Sequence, residues 1–219
     1  MSASRAAGGE RLVWYAAYGS NLDSARFACY LRGGRPIGGA HTHLGCRDRR
    51  PPLRDVPLLL SGTLYFAQES AVWGGGRGFY DPQTNGRMPC RGYLVTEGQF
   101  SDVAAQEMHR SPGTDLDLTR ALAHGRDRIG PGRYETLVCA GELDGYPLLT
   151  FTAPVALADA ELNPPSAAYL RVLAAGLAES HGWGPWRTAS YLASRPGAAG
   201  HWSPNAVAAL GPLVVPPSE

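Results

Sequence analysis

The run Val13 to Tyr18, V-W-Y-A-A-Y, constrains the fold more than any other stretch of the chain. It is apolar or aromatic throughout and short enough for a strand covered on both faces. It breaks at once into Gly19-Ser20-Asn21, and a helical pattern follows from Leu22 to about Leu31, stopped by Gly33-Gly34. A strand that ends in a small polar turn and a helix start gathers backbone N–H groups and short side chains in one place, which suits an anion or a polar ligand. Ser20 or Asn21 is expected to cap the helix, with Asp23 completing an S-x-x-D start. The plainer account is a capped junction in which Gly19 only relieves backbone crowding. The two accounts are compatible.

Further along, "LLLSGTLYFA", "GRGFYDP" and "CRGYLVT" read as strands bounded by Gly, Pro or Asn turns. Thr96 and Gln99 form a capping box for the helix "EGQFSDVAAQEMHR", whose apolar face is Phe100, Val103, Ala104 and Met108 and which Pro112-Gly113 ends. "RYETLVCAGELDGYPLLTFTA" predicts two strands around a turn near Asp144-Gly145. Ser166 caps a helix that Gly182 stops, and a shorter helix is expected from Trp186 to Leu192. Strands interrupted and followed by helices predict an α+β fold, with a mixed sheet curled up or closed into a small β-barrel and helices at its periphery. Residues 1–10 are expected to be a flexible start without a secretory signal, 11–195 a single domain, and 196–219 a Pro/Ala-rich extension.

Composition removes several classes of function. The formal charge is +1, which gives no global basis for binding nucleic acid or an anionic membrane. All basic residues counted as Lys plus Arg are Arg, so a Schiff-base lysine, a lysine-anchored pyridoxal cofactor and a Walker P-loop are excluded. G-x-S-x-G is absent, as is a C-x-x-C pair among Cys29, Cys46, Cys90 and Cys139. Reduced thiols and a cytoplasmic location are the expectation, with no bilayer-spanning run of roughly 20 apolar residues. "GGGRGF" lacks dinucleotide spacing and reads as a turn. The Arg-rich "CRDRRPPLRD" reads as a solvated, self-paired loop or as help with an acidic substrate.

Three pieces together, "AYGSNL" ending the first strand, "RGYLVT" leading to a helix that carries Glu107, and "PPSAAYL" opening a late helix, resemble the γ-glutamylcyclotransferase-like family. Their order and spacing agree from about Val13 to Leu192. The resemblance implies a mixed barrel with peripheral helices and a cofactor-independent, metal-free enzyme that cyclises a γ-glutamyl group to 5-oxoproline and releases its amine. It also implies that Tyr18, Gly19, Ser20, Asn21 and Leu22 hold the glutamyl part, that Glu107 is the catalytic acid/base, and that Tyr169 lines the pocket. The segment from about Leu53 to Met88 departs from the smaller members by an extra pair of strands, which bears on the leaving group. The oligomeric state is not legible.

The chemistry can be followed without the family. The α-amine of a γ-glutamyl amide can attack its own γ-carbonyl, so the protein need supply neither nucleophile nor water, only orientation and one group that moves a proton. Glu107, near the end of its helix, is where the helix dipole disfavours a negative charge; an exposed Glu compensated by His109 and Arg110 is the competing account. Glu97, in the first turn, reads as a structural charge. Tyr169 either packs with Leu170, Leu173 and Leu177 or turns its hydroxyl to a ligand. His41-Thr42-His43 would put two imidazoles on one face of a strand, the start of a metal-dependent amidase or deacylase, although no H-E-x-x-H or Cys pair completes a ligand set. A γ-glutamyl acyltransferase and a non-catalytic binder of an amino-acid-like ligand remain as alternatives.

Overall fold

A computed structural model describes residues 9–36 and 41–211. All but Gly9 and Glu10 of the expected flexible start, and residues 212–219 of the Pro-rich extension, lie outside them. The elements are β1 (Leu12–Ala17), α1 (Ser24–Arg32), β2 (Arg54–Ser61), β3 (Thr63–Ala67), β4 (Arg77–Asp81), β5 (Arg87–Thr96), α2 (Glu97–Glu107), α3 (Thr119–His124), β6 (Arg126–Arg128), β7 (Thr136–Leu143), β8 (Tyr146–Thr152), α4 (Ala167–His181), α5 (Pro185–Ala193) and α6 (Pro204–Ala208).

The fold is α+β, a curled mixed sheet with helices at its periphery. Strand order in the large sheet is β2-β5-β1-β8-β7-β6, so β1 runs near the middle, antiparallel to β5 and parallel to β8. Every β1 residue is buried, as its unbroken apolar run requires. Alternation along the strand divides it between two cores. Trp14, Ala16 and Tyr18 join Leu170, Leu173 and Leu177 of α4 and Leu192 of α5. Val13, Tyr15 and Ala17 join Phe27 and Leu31 of α1 and Phe100 and Val103 of α2.

Several expectations are refined by tertiary context. "LLLSGTLYFA" is two strands: at Gly62, with φ +117°, the chain leaves the large sheet, and β3 pairs with β4 in a separate two-stranded sheet. A Cβ on Gly62 would come within 2.4 Å of the Asp81 carbonyl oxygen, so the close crossing of the two segments needs glycine there. No ladder joins β2 to β6, and the sheet is therefore open rather than a closed barrel. The second sheet is instead tied to β8 by one side chain: Thr152 Oγ1 accepts from Tyr80 N at 2.9 Å and donates to Tyr80 O at 2.7 Å.

The start of α1 also differs. Ser20–Leu22 form a separate 3₁₀ turn, and Asp23, not Ser20 or Asn21, is the cap, accepting from Arg26 N at 2.8 Å. The capping box at Thr96 and Gln99 forms in full, but α2 ends at Glu107, before Pro112-Gly113, because the chain reverses at His109 with φ +58°. Ser166 caps α4 and left-handed Gly182 ends it. Asp144 and Gly145 make the β7–β8 turn, both at positive φ, as a tight hairpin demands. The short α3, β6 and α6 have too few periods to be read from sequence.

The Arg-rich loop is tied to the fold as well as to itself. Arg50 pairs with Asp48 and Glu10, and Arg54 with Asp144. Arg47 reaches Asp102 of α2, a fully buried carboxylate that also accepts from Arg47 N at 2.8 Å and from Gly113 N at 3.2 Å. Asp102 thus anchors the helix that ends in Glu107. Asp102→Ala would strand those two amides and is expected to cost about 2 kcal/mol in a denaturant titration; an unchanged midpoint would show that water replaces the carboxylate.

Candidate active site

A cavity of about 440 Å³ opens where β1 gives way to the turn, walled by that turn, α1, the end of α2, the β3–β4 hairpin and the start of α4. Tyr18, Gly19, Ser20, Asn21, Glu107 and Tyr169 all line it. Leu22 does not: its side chain lies in the core beneath α4.

Asn21 connects the turn to α2. Its Nδ2 donates to Glu107 Oε1 at 3.2 Å and lies 3.4 Å from the Tyr15 hydroxyl, while its buried Oδ1 has no partner. Asn21 O accepts from the Tyr93 hydroxyl at 2.9 Å, which fixes the residue from below. Tyr18 is spent on the fold, donating to Phe151 O at 2.8 Å. The Tyr169 hydroxyl accepts from Gly78 N at 3.3 Å, its ring stacks on Trp73, and a Cβ on Gly19 would sit 3.3 Å from that hydroxyl. Gly19 therefore leaves room between the turn and α4.

The cavity holds residues that local reading did not single out, Tyr15, Arg26, Tyr30, Trp73, Arg77 and Tyr134, beside His41 and His43 of the H-T-H stretch. Burial is the main reason that the phenols of Tyr15, Tyr30, Tyr134 and Tyr169 are pushed above their ordinary range, Tyr169 to about 12, and the Glu107 charge adds to each. They are neutral hydroxyls around one carboxylate; the Tyr134 hydroxyl is spent on Gly78 O at 3.0 Å, whereas those of Tyr15 and Tyr169, which accept from Asn21 Nδ2 and Gly78 N, keep a proton to donate to a developing oxyanion. Glu107 is the only carboxylate among the described residues lining the cavity, and no cysteine lines it. Arg26 had a detectable signal: it sits with Phe27, Tyr30 and Leu31 on the buried face of α1, where a lone charge is out of place.

His41 and His43 do not form the expected strand pair. His41 is exposed, whereas His43 stacks on Tyr30 with ring centroids 3.9 Å apart. Among the described residues no group of three or more His, Cys, Asp or Glu side chains is placed to share a metal ion. Burial, then the Arg26 and His41 charges, lowers the His43 pKa to about 4. With an unfolded value near 6.5, the unfolded chain binds the extra proton first as pH falls. His43 thus makes stability decline from about pH 6.5 down to about pH 4 and adds no further loss below that. His43→Gln should flatten the melting-temperature profile in that window; an unaltered slope would remove His43 as its source.

Among the described residues, fold and cavity together define an α+β architecture with a single carboxylate set among neutral phenols and buried guanidiniums. Two solved structures are similar in architecture. One is a γ-glutamyl cyclotransferase, 16% identical, with a TM-score of 0.47 over 92% of this chain and 100% of that one. The other is an uncharacterized protein from Homo sapiens, 15% identical, with a TM-score of 0.47 over 84% of this chain and 89% of that one. In sequence the chain is 33% identical over 185 residues to histone deacetylase 5 of Arabidopsis thaliana, covering 76% of this chain and 28% of that protein. It thus spans little more than a quarter of that relative's length. No protein-family model matches.

Proposed function

We propose that the protein is a γ-glutamylcyclotransferase-like enzyme that converts a γ-glutamyl amide into 5-oxoproline and a free amine. The observation that carries this reading is the pairing of Glu107 with Asn21 of the Y-G-S-N turn at 3.2 Å, inside a cavity whose described lining offers no second carboxylate. One carboxylate is what an intramolecular reaction needs. The substrate's α-amine attacks its own γ-carbonyl carbon and forms the lactam C–N bond, while Glu107 takes the amine's proton. The tetrahedral oxyanion is met by neutral hydroxyl and amide donors around the turn. The C–N bond to the leaving amine then breaks as Glu107 returns the proton to that nitrogen, and no water is consumed.

The roles divide accordingly. Glu107 moves the proton, Asn21 orients it, Gly19 and Ser20 receive the glutamyl head, and Tyr169 closes the opposite wall. Leu22 supports the turn from the core. No cofactor or metal enters the scheme. The four cysteines are free thiols, which suits a reducing compartment such as the cytoplasm, and no described helix is long and apolar enough to cross a membrane. The deacetylase activity in the name of the Arabidopsis relative belongs to a protein of which this chain covers 28%.

Mass spectrometry of the purified protein with a panel of γ-glutamyl amines tests the reading. Equal amounts of 5-oxoproline and free amine are expected. Transfer to a second amine without 5-oxoproline would make it an acyltransferase, and ligand binding without turnover would make the scaffold a binder.

A further inference from the structure

Arg110 follows Glu107 by three positions, and both line the cavity. Sequence alone makes its charge a counter-ion for Glu107. The structure pairs it elsewhere: Arg110 Nη2 donates to Oε1 of Glu135, 25 positions further on. The end of α2 explains how. Past Glu107 the chain closes with His109 N donating to Gln106 O at 3.1 Å and Arg110 N to Ala105 O at 2.8 Å, while His109 takes φ +58°. This reversal carries Arg110 off the helix, and its side chain crosses to the segment between β6 and β7.

That segment is shaped around one carboxylate. Glu135 is buried, and its Oε2 accepts from Gly132 N at 2.6 Å. A Cβ on Gly130 would come within 2.1 Å of Glu135 Oε2, and one on Gly132 within 2.8 Å of its carboxyl carbon. Neither glycine has a positive φ, so it is the seated carboxylate, not the backbone conformation, that keeps both positions free of a side chain. Stability alone is a weak reason for such a seat, because taking a carboxylate out of water costs about as much as the pairing returns. The consequence for Glu107 is larger. Among the described residues lining the cavity, Glu107 is the one carboxylate that a released Arg110 could meet. A guanidinium laid on a carboxylate occupies its oxygens and makes it a poorer base. The buried arginines of the cavity are also engaged away from Glu107: Arg26 lies over the Trp73 ring at 4.8 Å and Arg77 Nη2 donates to Glu69 O, neither with an ion-pair partner among the described residues.

We propose that Glu135 is a positioning residue: by clasping Arg110 it keeps that guanidinium off Glu107 and leaves the carboxylate free to take the substrate's proton. The proposal rests on the cyclotransferase reading for the reaction that Glu107 performs. Gly130 and Gly132 belong to the same device, since they make the room in which Glu135 holds Arg110.

Glu135→Gln tests this, because it keeps an oxygen for Gly132 N and removes the charge that holds Arg110. With γ-glutamylalanine as substrate, kcat/KM should fall by roughly 10- to 100-fold, the range for a hydrogen bond to a charged group. Gly130→Ala, which pushes the carboxylate off Arg110 without changing any charge, should fall with it and takes the place of the glutamine variant if that one does not fold. Adding Arg110→Gln to either variant should restore most of the activity, since no guanidinium is left to cover Glu107. A pair that only braces the fold behaves otherwise, its loss persisting when Arg110 is also replaced. That persistence, or a Glu135→Gln protein as fast as the wild type, would overturn the clasp and leave the cyclotransferase reading intact. If the wild type forms no 5-oxoproline from any γ-glutamyl amide, the cyclotransferase reading falls, and a crystal structure of Glu135→Gln decides the clasp by itself. Arg110 resting on the Glu107 carboxylate would uphold it, and Arg110 turned out to solvent would overturn it.

Discussion

Glu107→Gln is expected to lower 5-oxoproline formation by about 10³-fold, within the range for loss of a positioned acid–base group, while the melting temperature stays at the parent value. The substitution is nearly isosteric. The glutamine carbonyl still accepts from Asn21 Nδ2, which lies 3.2 Å from Glu107 Oε1, so the geometry of the turn is retained. What disappears is the ability to take a proton from the α-amine and return it to the leaving nitrogen. The loss should therefore appear in kcat, with substrate binding by calorimetry largely preserved. Asn21→Ala is the milder companion, because it frees the Glu107 carboxylate to rotate without removing it; about 10-fold is expected, in proportion to one hydrogen bond to a charged group. Full activity in Glu107→Gln would remove the residue from the mechanism.

The second large effect is one of packing, and it runs against intrinsic helix propensity. Gly176 lies inside α4, where replacing glycine ordinarily stabilises a helix by up to about 1 kcal/mol. Here a Cβ would come within 2.4 Å of Leu22 Cβ and 2.8 Å of the Asp23 nitrogen. Those atoms belong to the junction between the 3₁₀ turn and α1, and a backbone atom cannot swing aside as a side-chain tip does. Gly176→Val is expected to cost about 3 kcal/mol or more, the upper range for overpacking a filled core. Pushing the turn outward would also displace Asn21, so turnover should fall by more than unfolding explains. A valine variant with parent stability and parent kcat would show that α4 is free to shift.

Much of the local structure was legible because its causes are local. The apolar run of β1, the Thr96–Gln99 capping box, the Asp144-Gly145 turn and the Ser166 and Gly182 ends of α4 each rest on a few adjacent residues, and all are observed. One misreading falls where a neighbour distant in sequence intervenes: Gly62 splits one apparent strand because Asp81 passes close by. The other is a local reversal, since α2 stops at Glu107 because the chain turns at His109 with positive φ.

The candidate site divides in the same way. Tyr18, Gly19, Ser20 and Asn21 are contiguous, and their pattern at the end of a strand marked them, together with Glu107 and Tyr169, through the family resemblance. Arg77 and Trp73 sit in a hairpin with no such pattern, and the signal at Arg26, a charge in register with Phe27, Tyr30 and Leu31, does not by itself say what the charge faces. Periodicity and turn chemistry by themselves determined the strand, the turn and the ends of the longer helices, because a backbone hydrogen bond or a cap involves residues only a few positions apart. Only the tertiary structure decided that Glu107 meets Asn21, 86 positions away, and that two guanidiniums enter the same cavity unpaired. Burial and charge balance are sums over elements that the chain brings together only when folded.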